Sequence, residues 1–182
     1  DLQIIVRESF NPLTVNAGAA RIRGGELELQ WLASANWEFG FSAGHLDTAY
    51  RRLKQPAQDS GVRLENKLAN SPTWSVAAGT SYRLGQRSLG EVTARLDWAW
   101  QDTEYNDAVN SPQVRQSAFH LVNASLALWP WGSEWQLTGA TRNLLNETYL
   151  VSGNSAFDTT AAYVEQVYGR PREFLVSLTY EF

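Results

Sequence analysis

The stretch Glu173-Phe174-Leu175-Val176-Ser177-Leu178-Thr179-Tyr180-Glu181-Phe182 decides the fold. Its even positions are Phe174, Val176, Leu178, Tyr180 and Phe182. Its odd positions are Glu173, Leu175, Ser177, Thr179 and Glu181. Successive side chains of an extended strand point to opposite sides, so one face here is wholly apolar and the other mostly polar. A helix would scatter both sets around its circumference. The stretch reads as a strand.

The same period recurs along the chain. Trp74, Val76, Ala78, Tyr82 and Leu84 oppose Thr73, Ser75, Gly79, Ser81 and Arg83 over residues 72–84. Val92, Ala94, Leu96, Trp98 and Trp100 oppose Glu91, Thr93, Arg95, Asp97 and Gln101. Residues 26–32, 37–44 and 135–142 repeat the pattern, and weaker strands lie near 2–8 and 118–129. The expectation is an all-β, antiparallel chain of about eight strands, with no helix predicted. Register is physically determined. A one-residue slip of 91–101 would exchange Arg95 and Asp97 for Trp98 and Trp100 on the apolar side.

The connections alternate in length. Short turns are expected near Ala33–Asn36, Gly85–Ser88 and Pro130–Ser133. Long polar loops are expected near Ser9–Ala19, Tyr50–Ser71, Asp102–Gln116 and Asn146–Tyr168. Short turns at one end and long loops at the other characterise outer-membrane barrels. A soluble sandwich or lipocalin-like barrel also alternates, but three features favour the membrane. The apolar faces run to about five positions, enough for the roughly 9–11 residues of a tilted membrane strand. They carry essentially no charge. Trp31 and Trp37 flank one short turn, and Trp129, Trp131 and Trp135 bracket another, as indole rings do at a membrane interface.

Composition narrows the function. The 182 residues are 43% hydrophobic and 19% charged, with 8 Trp, no Cys and no Met. Without Cys there is no disulfide, thiolate zinc site or thiol nucleophile. A net charge of -4 offers no basic stripe for nucleic acid. No apolar run reaches the roughly 18 residues of a membrane helix. A mean hydropathy of -0.35 is compatible with a membrane barrel, whose inward residues and loops are polar. Lacking an initiator Met and a signal-like start, the chain is expected to be a piece of a longer one.

Four motifs carry a family resemblance. Tyr168-Gly169-Arg170-Pro171-Arg172-Glu173-Phe174, running on to Tyr180-Glu181-Phe182, resembles the last strand of TonB-dependent outer-membrane receptors. Asn143-Leu144-Leu145-Asn146-Glu147-Thr148-Tyr149 is similar to that family's "Asn-Leu-Phe-Asp, two residues, Tyr" segment, with departures at Leu145 and Asn146. Gly18-Ala19-Ala20-Arg21 leading to Gly25-Glu26-Leu27-Glu28-Leu29, and Leu68-Ala69-Asn70-Ser71-Pro72-Thr73-Trp74, also resemble it. The resemblance implies that residues 1–182 are the C-terminal portion of a 22-stranded transmembrane β-barrel. It further implies an N-terminal plug and a TonB box, neither present in this sequence. The function implied is TonB-energised uptake of a scarce solute such as a ferric siderophore or cobalamin. The implied partners are outer-membrane lipid, the barrel-assembly machinery, TonB and the solute.

An open eight-stranded sheet in lipid would leave two edges of unpaired backbone groups. Either further strands continue it, or it closes as a self-contained eight-stranded outer-membrane protein. The latter would be an adhesin-like structural barrel or a small lipid enzyme.

Candidate residues follow from the faces. Glu26, Glu28, Arg83, Arg95, Asp97 and Arg142 are predicted to form a lumen-facing polar wall. Phe174, Val176, Leu178, Tyr180 and Phe182 resemble the β-signal read by the assembly machinery. Tyr50, Arg51, Arg52, Tyr105, Tyr149, Phe157 and Tyr163 lie in loops where solute specificity is expected. His45 and His120 are the only histidines. Asp47 shares a side with His45, the nearest approach to a catalytic pair, and nothing else supports one. No catalytic residue, cofactor or metal site is predicted.

Overall fold

The computed structural model describes residues 2–8, 11–86 and 89–182. Eight strands form one antiparallel sheet: β1 (Leu2–Glu8), β2 (Asn11–Ser34), β3 (Trp37–Leu53), β4 (Trp74–Gln86), β5 (Gly90–Gln101), β8 (Phe119–Trp129), β9 (Trp135–Arg142) and β12 (Glu173–Tyr180). Each pairs with its neighbour in chain order. The intervening segments hold a short helix α1 (Gln55–Asp59) and two small ladders. One ladder is β6 (Glu104–Tyr105) with β7 (Arg115–Gln116); the other is β10 (Leu150–Ser155) with β11 (Val164–Tyr168).

Directly paired residues of antiparallel strands share a face, so the register sorts the side chains. One row runs Leu29, Phe41, Ala78, Trp98, Val122, and another runs Leu84, Val92, Leu128, Leu137, Leu178. No charged residue interrupts either. The opposite face carries Glu28, Ser42 and Ala77, and beside them Gln30, Gly40, Gly79, Asp97 and Asn123.

The apolar face is bare. Phe174, Val176 and Leu178 are 75%, 80% and 62% exposed. A soluble sandwich would cover these groups with a second sheet, and contiguous apolar patches of this extent are rare in water. The buried cluster instead sits at the long-loop end. Val6, Ala17 and Tyr50 from the strand tops meet Ala57, Val62, Leu68 and Ala108 from the loops. Water-type packing is thus confined to a cap above the sheet.

At the short-turn end, aromatic rings line the apolar face. Trp37 packs on Phe39 at 4.8 Å and edge-on to Tyr82 at 5.8 Å. Trp37 Nε1 donates to Thr80 Oγ1 at 2.9 Å, and Trp129 Nε1 to the Ser133 carbonyl at 3.0 Å. Trp37 lies on an apolar surface with its one polar atom satisfied, the arrangement an interfacial indole needs, whereas Trp129 pairs with Glu91 and stands on the polar face.

Several expectations change. The segment expected as a loop over Ser9–Ala19 is extended from Asn11, where β2 begins and pairs with β1 from Glu8↔Asn11 to Leu2↔Gly18. Alternation fails there because Pro12, Asn16 and Gly18 interrupt it and the register shifts at Leu2/Gln3. Gly18 has a φ of 126°, and a Cβ there would overlap the Arg52 carbonyl, so only glycine fits this crossing. Strands β2 and β3 therefore stand well above the stretches 26–32 and 37–44. The long loops are also less irregular than expected, holding α1, the β6–β7 pair and the β10–β11 hairpin. Of the turn expected at Gly85–Ser88, Gly85 ends within β4, while Arg87 and Ser88 lie outside the described residues.

Candidate functional site

The polar face is the hollow one. A groove of about 740 Å³ lies over β2–β5 and β8, lined by Glu28, Gln30, Glu38, Ser42, Ser81, Arg95, Asp97 and Asn123. A second, of about 420 Å³, lies nearer the long loops, among Glu26, Glu28, Ser75, Gln101, Phe119 and Leu121. Gly40, Gly44, Gly79, Ala77 and Ala99 form their floors. Small residues mid-sheet leave the space that larger side chains would fill.

Charges border these floors. Arg95 grips Asp97 with two bonds, Nε to Oδ2 at 2.8 Å and Nη2 to Oδ1 at 2.7 Å. Gly79 makes room for it, since a Cβ there would come within 2.8 Å of Asp97 Oδ1. Arg83 Nε lies 3.2 Å from Glu91 Oε1. The six residues predicted for the polar wall thus occupy the face opposite Leu27, Leu29 and Leu96. Glu26 and Glu28 stand on β2, Arg83 on β4, Arg95 and Asp97 on β5, and Arg142 at the loop end of β9 opposite Glu173. They do not converge on one point.

The predicted loop residues separate. Tyr50 is 5% exposed, buried in the cap core, and burial pushes its phenol up from the ordinary value. It cannot meet a solute as placed. Arg51, Arg52 and Phe157 are exposed. Tyr149 stacks on Phe119 with centroids 4.7 Å apart and 12° between planes. Phe119 shares the polar-face row of Glu26, Ser75 and Gln101, so this stacked pair overlooks the smaller groove. The pairing was illegible in sequence, because 30 positions separate the two rings.

Asparagine and glutamine side chains tie the three long connections together. Asn66 Nδ2 donates to the Ala108 and Val109 carbonyls, both at 2.9 Å. Asn110 takes a bond from the Lys67 backbone at 2.8 Å and returns one to its carbonyl at 2.9 Å. Leu150 N donates to Gln116 Oε1 at 2.5 Å, and Gln166 Nε2 to the Gln113 carbonyl at 2.6 Å. Amide side chains carry both a donor and an acceptor, so Asn110 can bond the backbone of Lys67 in both directions.

The His45–Asp47 pair does not form a site. Asp47 Oδ2 receives Arg21 Nη2 at 2.6 Å, and the His45 ring packs on Trp74 at 4.5 Å. Among the described residues, no three His, Asp or Glu side chains group as a metal cage.

Comparison with known proteins agrees with this architecture. Residues 3–144 match the family described as TonB dependent receptor-like, beta-barrel. The ferric yersiniabactin uptake receptor FyuA from Yersinia pestis superposes with a TM-score of 0.78 at 19% identity, over 93% of this chain and 25% of its own. For BauA, the ferric preacinetobactin receptor from Acinetobacter baumannii, the values are 0.68, 18%, 94% and 23%. For the copper transporter OprC they are 0.65, 18%, 100% and 27%. The chain therefore spans about a quarter of the length of these structures. With its bare apolar face, hollow polar face and family match, the chain belongs to the TonB-dependent receptors, as part of a Gram-negative outer-membrane β-barrel that the fragment does not close.

Proposed function

We propose that this chain is the C-terminal part of the barrel of a transporter, and not of an enzyme, that takes up a scarce solute through TonB. The solute class is a small metal chelate of the ferric-siderophore kind. The observation that carries this reading is the opposition of the two faces. The uncharged, exposed face of Leu29, Phe41, Trp98 and Val176 suits lipid, and the grooved face of Glu28, Arg95 and Asp97 suits a wet lumen. Glu26, Glu28, Arg83, Arg95, Asp97 and Arg142 then form the wall that faces plug and solute. The interlocked loops stand outside the cell, and the stacked Phe119–Tyr149 pair overlooks the path from them to the wall.

The names of FyuA and BauA support the ferric-siderophore class, whereas that of OprC supports copper. Uptake of radiolabelled ferric siderophores and of copper by cells carrying the full-length receptor separates the two. Uptake of a ferric chelate that disappears in cells lacking TonB is the expected result. Uptake of copper alone would replace the siderophore reading, and uptake independent of TonB would overturn the energised mechanism. Cysteines placed in the loops at 50–71 or 146–168 should label from outside intact cells. Labelling only after the outer membrane is opened would invert the orientation.

A further inference from the structure

The β10–β11 hairpin continues the β9–β12 pair beyond the main sheet. At its base the two chains are stitched together. Gly169 N bonds the Tyr149 carbonyl at 2.8 Å, Asn143 Nδ2 the Arg170 carbonyl at 3.1 Å, and Arg172 N the Asn146 Oδ1 at 3.0 Å. Above this base, β10 and β11 pair from Leu150↔Tyr168 to Ser155↔Val164. Gln116, just before β8, holds Leu150 from the β10 side. β11 is therefore the outer strand of the hairpin and lies on the same side as β12. β12 itself ends the main sheet, paired only with β9 among the described residues.

β11 presents an open edge. Ala156 N bonds the Tyr163 carbonyl at 3.0 Å, and Gly169 N that of Tyr149, so odd-numbered residues at both ends of β11 turn their backbone groups toward β10. Antiparallel pairing alternates, and those of Val164, Gln166 and Tyr168 therefore point away from β10. No backbone bond from another described segment reaches them. All five residues of β11 are exposed, and Val164-Glu165-Gln166-Val167-Tyr168 contains no Pro, Gly or Lys. Edges that must stay unpaired usually carry such breakers or charges. The hairpin is also held in place. Gln166 Nε2 bonds the Gln113 carbonyl at 2.6 Å, and Gly153 lies so close to Val114 that a Cβ would come within 2.8 Å of it.

We infer that β11 pairs, beyond the membrane, with the same strand that closes the barrel on β12. In lipid the free backbone groups of β12 require a neighbour, and the fragment does not supply it. β12 runs from the loop end to the short-turn end, so an antiparallel neighbour runs the other way. Its outer end then emerges beside β11, which runs in the direction of β12. On the reading proposed above, that neighbour is the first strand of the barrel. β2 and β3 are built in this manner, carrying their ladder past the apolar band to Gly18↔Leu53. The pairing fastens the cap across the seam of the barrel. Gln113 and Gln116 tie the hairpin to one side, and the β11 edge ties it to the other. The inference rests on the place of this chain in the barrel, and not on the solute class.

The test uses the full-length receptor. A photoreactive benzophenone amino acid replaces Val167, or Arg63 on the β3–β4 connection as a control, and crosslinked peptides are mapped by mass spectrometry. Heat-modifiable gel mobility identifies folded barrels, and only these are compared. The probe at 167 should crosslink within one chain, to the outer end of the strand beside β12 or the loop that follows it. The probe at 63 should not reach that segment. Hydrogen exchange resolved to single residues gives a second readout in the unsubstituted protein. The amides of Gln166 and Tyr168 should exchange at least about tenfold more slowly than unpaired amides of the same intrinsic rate. Exchange of both at the unpaired rate would overturn the inference. A crosslink to a different loop would overturn it as well, and a crosslinked dimer would make a second receptor the occupant. Uptake of copper alone, or uptake without TonB, would change the solute reading and leave this pairing standing.

Discussion

Asn143 Nδ2 donates to the carbonyl of Arg170 at 3.1 Å, closing the base of the connection between β9 and β12 across 27 residues of chain. The same amide donates to the Glu147 carbonyl at 2.8 Å, and its oxygen accepts from Glu147 N at 2.8 Å. Asn146 Oδ1 accepts from Arg172 N at 3.0 Å. Both asparagines are left-handed, with φ of 48° and 56°, a region their side chains tolerate better than most. The motif that resembles the family's signature segment is thus a clasp that sets the last strand beside β9.

Replacing Asn143 with Ala should therefore destabilise the folded barrel by about 1–3 kcal/mol, the usual cost of leaving buried backbone partners unmet. Asn143→Gly keeps the left-handed backbone available but removes the same bonds. If both variants melt equally early in vesicles, the bonds dominate. If Gly melts well above Ala, backbone strain does.

The two faces can be tested on adjacent residues. Leu96 lies on the apolar face and Arg95 on the polar one. Leu96→Arg should cost roughly 2–4 kcal/mol near the bilayer midplane. Arg95→Leu removes an exposed pair with Asp97 and should cost at most about 1 kcal/mol. Guanidinium unfolding in lipid vesicles measures both, and equal losses would contradict the assignment of faces.

The eight strands were legible because lipid enforces period two without interruption. Each of 91–101 and 174–182 carries its facing pattern in its own residues. The upper part of β2 was not legible, since above the membrane no lipid selects a face and Pro12, Asn16 and Gly18 leave no period. Residues such as Glu28 and Arg95 could be placed on a face from sequence, because facing is local. The loop cap could not. Asn66 meets Val109, Gln116 meets Leu150 and Phe119 meets Tyr149 only after the strands have aligned their ends.

The cap should open as one body. Asn66→Ala removes two ties to the neighbouring loop, and a loss of about 1 kcal/mol raises local exchange roughly fivefold. Hydrogen exchange should quicken around both 60–70 and 105–115, with β4 and β5 unchanged. Faster exchange on one side only would show that the loops are independent.

Glu104 gives the cap a pH dependence. Half-burial raises its carboxyl above the ordinary value, partly opposed by a hydrogen bond with Gln101. A folded-state pKa above the unfolded one means the folded cap holds the proton more tightly. Its stabilisation is complete below the ordinary carboxylate range and is lost as pH rises through the raised value. Protection of Tyr105 and Arg115, corrected for intrinsic exchange rates, should therefore fall across that window. Glu104→Gln should abolish the fall, and persistence of the same profile in that variant would place its origin elsewhere.

The end of β12 should govern assembly rather than recognition. Tyr180 packs on Trp135 at 4.7 Å and donates its hydroxyl to Glu134 Oε2. Glu181 N bonds the Glu134 carbonyl at 2.9 Å, and Phe182 meets Tyr180 edge-on at 5.0 Å. The preceding turn therefore holds the aromatic terminus at the short-turn rim, the full height of the sheet from the loops. Phe182 itself is exposed and supports nothing beyond that rim. An aromatic there can anchor at the interface and, with Phe174, Val176, Leu178 and Tyr180, offer an apolar strand for an assembly machine to pair with. Phe182→Ser should accordingly lower the amount of assembled receptor in the outer membrane while leaving solute affinity per receptor unchanged. Receptor abundance and solute binding measured on the same cells separate the two effects. Normal abundance with weakened binding would move Phe182 into the solute site and contradict the role proposed for this strand.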